Sequence, residues 1–401
     1  MNLTLATGPA LSRRARMIEV SPTVAMSQRA SALRASGRSV LDFSVGEPDQ
    51  PTPPHIVSAA TRAMAEGKTK YAPASGTPEL RRAVVERYRQ DFGVAFEPAE
   101  ATITIGGKQA LYLVCQALLG PGDEMVLPAP YWPTFAECPR LAGAKPVIVR
   151  AREKDGFAIT ARLVSRAVTP KTRAILINSP SNPTGAVVGG EELLALARTC
   201  ARRGITLLYD DTYARLSFAP TDRALLGRVR RELGERLVIV GTASKTYCMT
   251  GWRIGWLLSG RMLADACAAL VSHSTQCPAT FAMAGAVEAL TGPQDVVERL
   301  AAEYRARFEF IYGAVSALPG LSCVRPGGGF YLFPNCQAYL SRACPTSLDL
   351  GSRLLEEQGV AVVPGEGFGA PGYFRLSFAR SMVELKDGAA RLGAFLRGLG
   401  T

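Results

Sequence analysis

The fold is decided by residues 174–185, which read AILINSPSNPTG. Residues 174–177 are apolar without alternation, and this pattern is typical of a strand that is covered on both faces of a sheet. Two prolines and a glycine then force a rigid loop that is not helical. Ligands bind at the carboxyl ends of parallel strands, so Asn182 in this loop is a candidate to bind a ligand oxygen. The structural alternative is a turn in which Asn182 caps its own backbone.

Similar apolar runs lie on both sides of this stretch and alternate with helical patterns. The sequence predicts strands at 101–105, 124–127, 146–149, 174–177, 205–209, 237–240 and 255–258. It predicts helices at 108–119, 191–203 and 261–271. Such alternation indicates an α/β fold in which a mostly parallel, seven-stranded sheet is flanked by helices.

The last part of the chain changes character and predicts a smaller α+β domain. Its expected helices are 293–318, 347–358 and 383–396, and its expected strands are 321–324, 330–333, 360–363 and 373–378. The predicted division is an N-terminal arm and part of the small domain in 1–45, a large domain in 46–290, and the small domain in 291–401. Residues 1–16, which contain no acidic residue, are interpreted as an arm.

The composition excludes several classes of protein. The formal charge is +12, from 46 basic and 34 acidic side chains, but no Lys/Arg run exceeds two residues and no nucleic-acid-binding motif is present. No apolar run approaches the roughly 20 residues of a membrane helix. Nine scattered cysteines and two histidines predict reduced thiols, a cytoplasmic protein and no metal site. We expect no nucleic-acid partner and no membrane association.

Two further segments carry polar groups at strand ends. Gly106 and Gly107 join a predicted strand to a helix, and a helix N-terminus that follows such a turn favours an anion. A glycine pair at this place is also common in a plain tight turn. Asp210 follows the strand 205–209 and is expected at the same sheet edge as Asn182, as a ligand partner or as a helix cap.

Residues 242–255, which read TASKTYCMTGWRIG, contain a lone lysine among small, hydroxyl and apolar side chains. Partial burial lowers the pKa of a lysine and makes its amine a nucleophile, so Lys245 is a candidate catalytic residue. Arg253 can return to the same place as a clamp for an oxyanion. The alternative is a surface lysine with an ordinary ion pair.

Together these segments resemble the class I aminotransferases, which are pyridoxal-phosphate enzymes of fold type I. The resemblance runs from about residue 21 to residue 379. The stretches SPTVA (21–25), VGEPD (45–49), GKTKYAP (67–73) and GGKQAL (106–111) are similar to the bacterial aspartate aminotransferase subgroup, which also includes prephenate aminotransferases.

The resemblance implies a role for each matching residue toward pyridoxal 5′-phosphate. Lys245 bonds to the cofactor's aldehyde and later moves a proton to and from the substrate Cα. Asp210 keeps the pyridine nitrogen protonated, Tyr213 and Asn182 bind the phenolic oxygen, and Trp132 stacks on the ring. The groups implied to bind the phosphate are those of Gly107, Lys108, Gln109, Thr242 and Arg253. Tyr71 matches a residue that reaches this phosphate from the other subunit, which implies a homodimer with shared active sites.

The substrate site follows from the same resemblance. Arg375 matches the residue that binds the substrate α-carboxylate through its guanidinium fork. The other residues implied to contact the substrate are Gly46, Lys108, Trp132, Asn182, Thr23 and Phe330. Among these, Lys108 contacts the distal carboxylate of dicarboxylic substrates, with Thr23 beside it. His273 and Gln276 could reshape the side-chain pocket.

The implied function is transfer of an amino group between aspartate or glutamate and a 2-oxo acid. It would be a ping-pong reaction through pyridoxamine phosphate, with prephenate as a further candidate acceptor. A second interpretation is an aromatic or kynurenine-type aminotransferase or a β-lyase on the same fold. A third is a non-catalytic effector-binding domain of a transcription regulator, although only a short arm precedes residue 21 and no DNA-binding module fits there.

Overall fold

The structure is a computed structural model that describes residues 9–18, 22–218 and 222–399, without the side chains of Arg13, Pro22 and Thr23. Its strands are β1 (Leu41–Asp42), β2 (Ala101–Ile105), β3 (Glu124–Ala129), β4 (Lys145–Arg150), β5 (Thr172–Asn178), β6 (Thr206–Asp210), β7 (Leu237–Thr242), β8 (Ile254–Leu258), β9 (Tyr331–Leu332), β10 (Val360–Ala361), β11 (Val363–Pro364) and β12 (Phe374–Ser377). Its helices are α1 (Arg13–Met17), α2 (Pro22–Ala35), α3 (Pro54–Ala65), α4 (Pro78–Phe92), α5 (Gly106–Leu118), α6 (Thr134–Leu141), α7 (Ala161–Ser165), α8 (Gly190–Arg203), α9 (Leu225–Leu233), α10 (Ala243–Thr246), α11 (Arg261–Ser272), α12 (Thr280–Thr291), α13 (Asp295–Ser316), α14 (Ser347–Gln358) and α15 (Met382–Leu399).

The central sheet has seven strands in the order β2-β8-β7-β6-β5-β3-β4. The pairs among β3, β4, β5, β6 and β7 are parallel, whereas β8 is antiparallel to both β2 and β7. The connection from β7 to β8 holds only the short helix α10, and a parallel return needs a longer crossover. The predicted α/β fold with a mostly parallel sheet is confirmed, and every strand end in this sheet lies within two residues of its prediction.

Alternate residues of β5 pack on opposite faces of this sheet. Ile175 and Ile177 join a core with α4, α8, α9 and α12, while Ala174 and Leu176 join a second core with α5, α6 and α11. Side chains of a strand point alternately to the two faces, so a strand that is buried on both faces must be apolar throughout. The unbroken apolar run therefore has the structural cause that the sequence predicted.

The C-terminal part contains a three-stranded antiparallel sheet, β11-β12-β9, and a core shared by α13, α14 and α15. β1 pairs in parallel with β10, so residues 41–42 lie against residues 360–361. The expected strand 321–324 is wrong, because within it only Ser322 forms an isolated bridge, with Asn335. Pro319 and Gly320 precede this segment and Pro326 follows it, which leaves little room for a strand. The expected strand 360–363 is two strands that pair with different partners.

The division of the chain into domains stays a prediction. Of the expected N-terminal arm, the structure describes residues 9–16. Ser12 caps the start of α1, where its side chain accepts a hydrogen bond from the Ala15 amide.

The nine cysteines all lie in described segments, where they are free and mostly buried. None of the described helices is both long enough and apolar enough to cross a membrane.

Candidate active site

A cavity of about 270 Å³ lies where β5, β6 and β7 reach their carboxyl ends. The residues that line it are Gly46, Gly107, Lys108, Trp132, Phe135, Asn178, Asn182, Asp210, Thr212, Tyr213, Thr242, Ser244, Lys245, Arg253, Tyr331 and Arg375. Most of the site residues expected from the sequence are among them. The exceptions are Gln109, Tyr71 and Phe330, and the expected Thr23 has its side chain outside the described part of the chain. The cavity therefore unites segments that lie up to 329 residues apart in the chain, from Gly46 to Arg375.

Lys245 lies on α10, three residues after the end of β7, and its side chain is largely buried. Its Nζ donates a hydrogen bond to the backbone carbonyl of Gly46 at 2.7 Å. Loss of solvation lowers the pKa of Lys245 to about 8, while Glu47 opposes the shift. A substantial fraction of the amine is then neutral, and so nucleophilic, near neutral pH. The surface-lysine alternative does not fit this position.

Asp210 is the last residue of β6, and its carboxylate is buried. Its Oδ1 accepts hydrogen bonds from the Asn178 side-chain amide and from the Thr212 backbone, both at 3.1 Å. Burial raises the pKa of Asp210 to about 6, because these hydrogen bonds compensate for the lost water only in part. Within the described segments no ion pair involves Asp210, so the group can receive a cation from a ligand.

Arg375 lies within β12 and is only 1% exposed. Its Nη1 donates to Asn182 Oδ1 at 3.0 Å and its Nη2 donates to the Ser44 carbonyl at 2.6 Å, while the guanidinium lies 4.4 Å from the Tyr331 ring centroid. Its buried Nε has no hydrogen-bond partner, and no carboxylate in the described segments pairs with the side chain. Burial lowers the pKa of Arg375, yet a guanidinium stays charged in proteins. A buried cation with an unpartnered donor suits an anionic ligand.

The start of α5 offers a place for an anion. α5 begins directly after β2, and the backbone at Gly106 has a φ of +74°. A Cβ at Gly106 would lie 2.4 Å from the Arg253 guanidinium, and a Cβ at Gly255 would lie 2.4 Å from the backbone of Gly107. The absence of these side chains lets a guanidinium and the first turn of a 13-residue helix approach one another.

Hydroxyl groups complete this anion-binding corner. Thr242 Oγ1 lies 2.8 Å from Ser244 Oγ and 2.9 Å from the Ile254 carbonyl oxygen, to which it donates. Arg253 has a φ of +58°, a left-handed conformation that is uncommon outside glycine, and its Nη1 donates to the Thr250 carbonyl. Backbone conformations of this kind cluster at ligand-binding sites, where the surrounding contacts maintain them.

Lys108 and Trp132 form another wall of the cavity. Lys108 Nζ lies 5.0 Å from the centroid of the Trp132 ring, and the Trp132 ring meets Phe135 edge-on at 5.4 Å. Loss of solvation lowers the pKa of Lys108, and the nearby Arg253 adds to the shift. Lys108 has no ion pair in the part of the chain that the structure describes. The cavity therefore holds the cations of Lys108, Arg253 and Arg375 as well as Lys245.

Tyr331, rather than Phe330, lines the cavity. Tyr331 Oη lies 2.9 Å from Tyr213 Oη, and a Cβ at Gly46 would lie only 2.3 Å from it. Phe330 is fully buried behind this wall, with its ring centroid 4.7 Å from that of Tyr331 and 5.4 Å from that of Tyr213. Consecutive residues of an extended segment point to opposite sides, so the expected position is displaced by one residue.

Gln109 and Tyr71 do not line the cavity. Gln109 Oε1 accepts from the Ile105 amide at 2.6 Å, and its Nε2 donates to Thr275 Oγ1 at 2.8 Å, so its side chain links the glycine turn to the loop after α11. Tyr71 is 87% exposed in this single chain. The side chain of Thr23 is outside the described part. The effects of His273 and Gln276 on a pocket stay predictions.

Several lining residues were not predicted as site residues, notably Asn178, Thr212, Ser244 and Phe135. Asn178 is the register partner of Asp210 across β5 and β6, and its Oδ1 accepts a hydrogen bond from the Asn182 amide at 2.8 Å. Asn178 thus connects the two polar residues that the sequence singled out. The signal was present, since both strands end on a polar residue that follows an apolar run.

Comparisons with known proteins agree with this geometry. The family model described as "Aminotransferase class I and II" matches residues 38–392. The aspartate aminotransferase of Geobacillus stearothermophilus is 40% identical over 387 residues, or 96% of this chain and 98% of that protein. A protein of Aquifex aeolicus named probable aspartate/prephenate aminotransferase is 40% identical over 384 residues, or 95% of this chain and 97% of that protein.

Solved structures give the same result. The structure of aspartate aminotransferase from Thermus thermophilus with maleate superposes with a TM-score of 0.92 at 39% identity and covers 97% of this chain and all of that chain. The aspartate aminotransferase of Rhizobium meliloti also has a TM-score of 0.92, at 36% identity over 97% of this chain and 99% of that one. The predicted family and type of enzyme are therefore confirmed, and this chain belongs to the class I and II aminotransferases.

Proposed function

We propose that this chain is a pyridoxal-phosphate-dependent aminotransferase that moves an amino group between aspartate or glutamate and a 2-oxo acid. The observation that carries the proposal is one cavity in which the amine of Lys245, with its lowered pKa, lies together with the cations Arg375 and Lys108, which have no ion pair in the described segments. A substrate with an α-carboxylate and a second carboxylate matches these two cations in charge and number.

The residues present fit pyridoxal 5′-phosphate. A phosphate suits the first turn of α5, where side chains at Gly106 and Gly255 would fill the space, together with Arg253 and the Thr242 and Ser244 hydroxyl groups. The buried Asp210, without a cation of its own in the described part, suits a protonated pyridine nitrogen. The Lys245 amine suits the aldehyde. When bound, this cofactor supplies an aldehyde that takes up amino groups and a ring that accepts the electron pair left at the substrate Cα.

Lys245 then acts as the general acid and base. Its amine takes the proton from the substrate Cα and later returns a proton, and a pKa near neutrality suits both directions of transfer. Asp210 holds the proton at the pyridine nitrogen, because an ionised carboxylate in a buried place favours a cation beside it. Tyr213, whose hydroxyl contacts Tyr331, is proposed with Asn182 to bind the phenolic oxygen, and Trp132 to cover one ring face.

Arg375 orients the substrate by its α-carboxylate. Its Nη1 and Nη2 donate to Asn182 and to the Ser44 carbonyl, and each of these nitrogens has a second N–H that can donate to a carboxylate. Lys108, at the Trp132 wall, binds the second carboxylate, so that the Cα of an acidic amino acid is held between the two cations. A relative crystallised with maleate, a dicarboxylate, supports this choice of substrate class.

Prephenate as an acceptor has weaker support. Relatives named aspartate/prephenate aminotransferase support it, and Trp132 and Phe135 offer an apolar wall to a larger substrate. An aromatic or kynurenine-type activity does not require a cation at position 108. We therefore rank acidic substrates first.

A homodimer with shared sites is part of the proposal. Tyr71, which matches a residue that reaches the phosphate from the other subunit in similar enzymes, is 87% exposed in this chain, so its side chain is accessible to a second copy. It lies with Arg62, Lys68 and Lys70 along a groove between α3, α12 and the segment before α4. Sedimentation of the purified protein tests the dimer.

A cytoplasmic location stays a prediction from the cysteine content.

A panel of amino donors tests the proposed function. Purified protein with bound cofactor is mixed with 2-oxoglutarate or oxaloacetate and one donor at a time, and prephenate is offered as acceptor with aspartate or glutamate. We expect aspartate and glutamate to exceed phenylalanine and kynurenine in kcat/KM. Borohydride treatment followed by mass spectrometry should locate the cofactor on the peptide that contains Lys245. Equal rates for acidic and aromatic donors would contradict the substrate class.

A further inference from the structure

Asp211 provides a second carboxyl group behind the cavity. It follows Asp210 directly, and the two side chains point to opposite sides of the sheet, as consecutive residues of an extended segment do. Asp210 lines the cavity, whereas Asp211 reaches α4, where Tyr88 Oη donates a hydrogen bond to its Oδ2 at 2.5 Å. Both Asp211 and Tyr88 are buried.

Tyr88 is itself held in place by the sheet. Trp256 Nε1 on β8 donates to Tyr88 Oη at 3.0 Å, and the two rings meet edge-on at 6.3 Å. A Cβ at Gly241 of β7 would lie 2.3 Å from both of these polar atoms, so glycine leaves the space in which they meet. A buried chain of hydrogen bonds therefore connects α4 and β8 with the end of β6.

The end of β6 is fixed on its other sides as well. The Asp211 amide donates to the Val240 carbonyl at 3.2 Å, and the Asp211 carbonyl accepts from the Ala214 amide at 2.7 Å. These bonds orient the backbone on both sides of Asp211, so the position of its side chain influences the direction of the neighbouring Asp210 carboxylate. A displacement of about 1 Å in such a group lowers catalytic rates strongly.

The charges around Asp211 favour a neutral acid. The titratable and charged groups on its side of the sheet are Tyr88, Arg87, Asp91, Arg215 and Tyr247, and Asp210 is its neighbour on the other side. The two arginines pair with Asp91, at 3.4 and 3.3 Å, and no cation in the described part pairs with Asp211. Burial raises the pKa of Asp211 to about 8; the hydrogen bond from Tyr88 opposes this shift, and the neighbouring Asp210 adds to it. Two adjacent buried carboxyl groups do not both ionise readily.

We propose that Asp211 is a positioning residue: as a neutral acid bound to Tyr88, it fixes the end of β6 and leaves Asp210 as the single carboxylate facing the cofactor ring. The inference about the cofactor rests on the proposed function, whereas the charge state of Asp211 does not. Two experiments therefore separate the two parts.

The first experiment measures the dissociation constant of pyridoxal 5′-phosphate at neutral pH. Asp211→Asn keeps a neutral acceptor for Tyr88, so we expect a change of less than about twofold, whereas Asp211→Ala and Tyr88→Phe should weaken binding about tenfold through the lost buried hydrogen bond. Tyr247→Phe, which removes another buried hydroxyl from the same cluster, is the matched control and should bind normally. If Asp211→Asn weakens binding as much as Asp211→Ala, or if no variant changes it, the proposal is overturned.

The second experiment follows the melting temperature of the cofactor-free chain against pH. In the unfolded chain the Asp211 carboxyl group ionises at about pH 4, whereas in the folded chain it retains its proton to about pH 8. The wild type therefore loses stability as the pH rises through this window. Asp211→Asn lacks this proton. We expect its melting temperature, relative to wild type, to rise from about pH 5 to about pH 8 and then to level off. A constant difference would refute the neutral acid, whether or not the chain binds pyridoxal phosphate.

Discussion

Lys245 follows a strand of the seven-stranded sheet, whereas Arg375 lies inside a strand of the smaller antiparallel sheet, and both line the same cavity. Each is a cation that the fold has largely removed from water, and in each case this loss of solvation lowers the pKa. For Lys245 the pKa reaches about 8, so the amine can lose its proton under ordinary conditions. A guanidinium starts from a much higher pKa and stays charged.

The same physical cause thus produces a reactive group at one position and a binding group at the other. A lysine at position 375 could lose its charge in this burial, and an arginine at position 245 could not act as a base. The buried guanidinium has no counterion in the described part of the chain, and burial of such a charge costs several kcal/mol. A substrate carboxylate offsets that cost when it binds.

The largest expected effect follows removal of the reactive group. Lys245→Ala should lower kcat by at least about 10⁴-fold with every amino donor, because both the nucleophile and the proton carrier are lost. Borohydride should then fix no cofactor on the chain, which mass spectrometry reads directly. Lys171→Ala, at an exposed lysine before β5, is the control and should behave as wild type. A variant that still retains cofactor covalently would rule out Lys245 as the attachment site.

Replacement of the binding group should have a smaller and more uniform effect. Arg375→Lys keeps a cation but loses the planar fork, so kcat/KM should fall about 100-fold, which corresponds to about 3 kcal/mol. The loss should be the same for aspartate, glutamate and phenylalanine, because all three have an α-carboxylate. Single-turnover kinetics with each donor measure it. Losses that differ strongly among the three donors would mean that Arg375 binds a side chain instead.

Lys108 provides the contrast within the substrate site. Lys108→Ala should reduce kcat/KM for aspartate and glutamate about tenfold, because one charge-assisted hydrogen bond is lost, and should leave phenylalanine nearly unchanged. Lys108→Gln keeps a hydrogen-bond donor without the charge, so its kcat/KM for aspartate shows how much of the loss is due to the charge and how much to the hydrogen bond. An equal loss for acidic and aromatic donors would remove the argument for a dicarboxylic substrate.

The two regions also differ in how far the sequence predicted them. The seven strands and the residues at their carboxyl ends could be derived from apolar runs, because a strand buried on both faces leaves an unmistakable pattern. The small sheet has strands of two to four residues, and its pairing depends on contacts between distant parts of the chain, such as that of β9 with β12. The sequence therefore placed Phe330 in the pocket, whereas the next residue, Tyr331, lines it.

Arg375 illustrates the same limit. From the sequence pattern alone, an arginine near a strand end is interpreted as a surface charge. Only the resemblance to a family indicated that Arg375 binds the substrate α-carboxylate. Its burial, its bonds to Asn182 and Ser44 and its unpartnered Nε are properties of the folded chain. Asn178 is a milder case, since its pairing with Asp210 becomes visible once the register of β5 against β6 is known.

The smallest expected effect concerns Tyr331, which contacts both regions. Its ring lies 4.4 Å from the Arg375 guanidinium, and its hydroxyl lies 2.9 Å from that of Tyr213. Tyr331→Phe retains the ring and loses only the hydroxyl, so we expect a loss in kcat/KM of about fivefold, equivalent to about 1 kcal/mol. Tyr331→Leu, which also removes the ring, should move toward the Arg375→Lys phenotype, because the guanidinium loses its aromatic support. Tyr339→Phe, a buried tyrosine that donates to the Pro319 carbonyl away from the cavity, is the control. If Tyr331→Phe and Tyr331→Leu lose activity equally, the hydroxyl rather than the ring supports the site, and Tyr213 rather than Arg375 is the residue that Tyr331 positions.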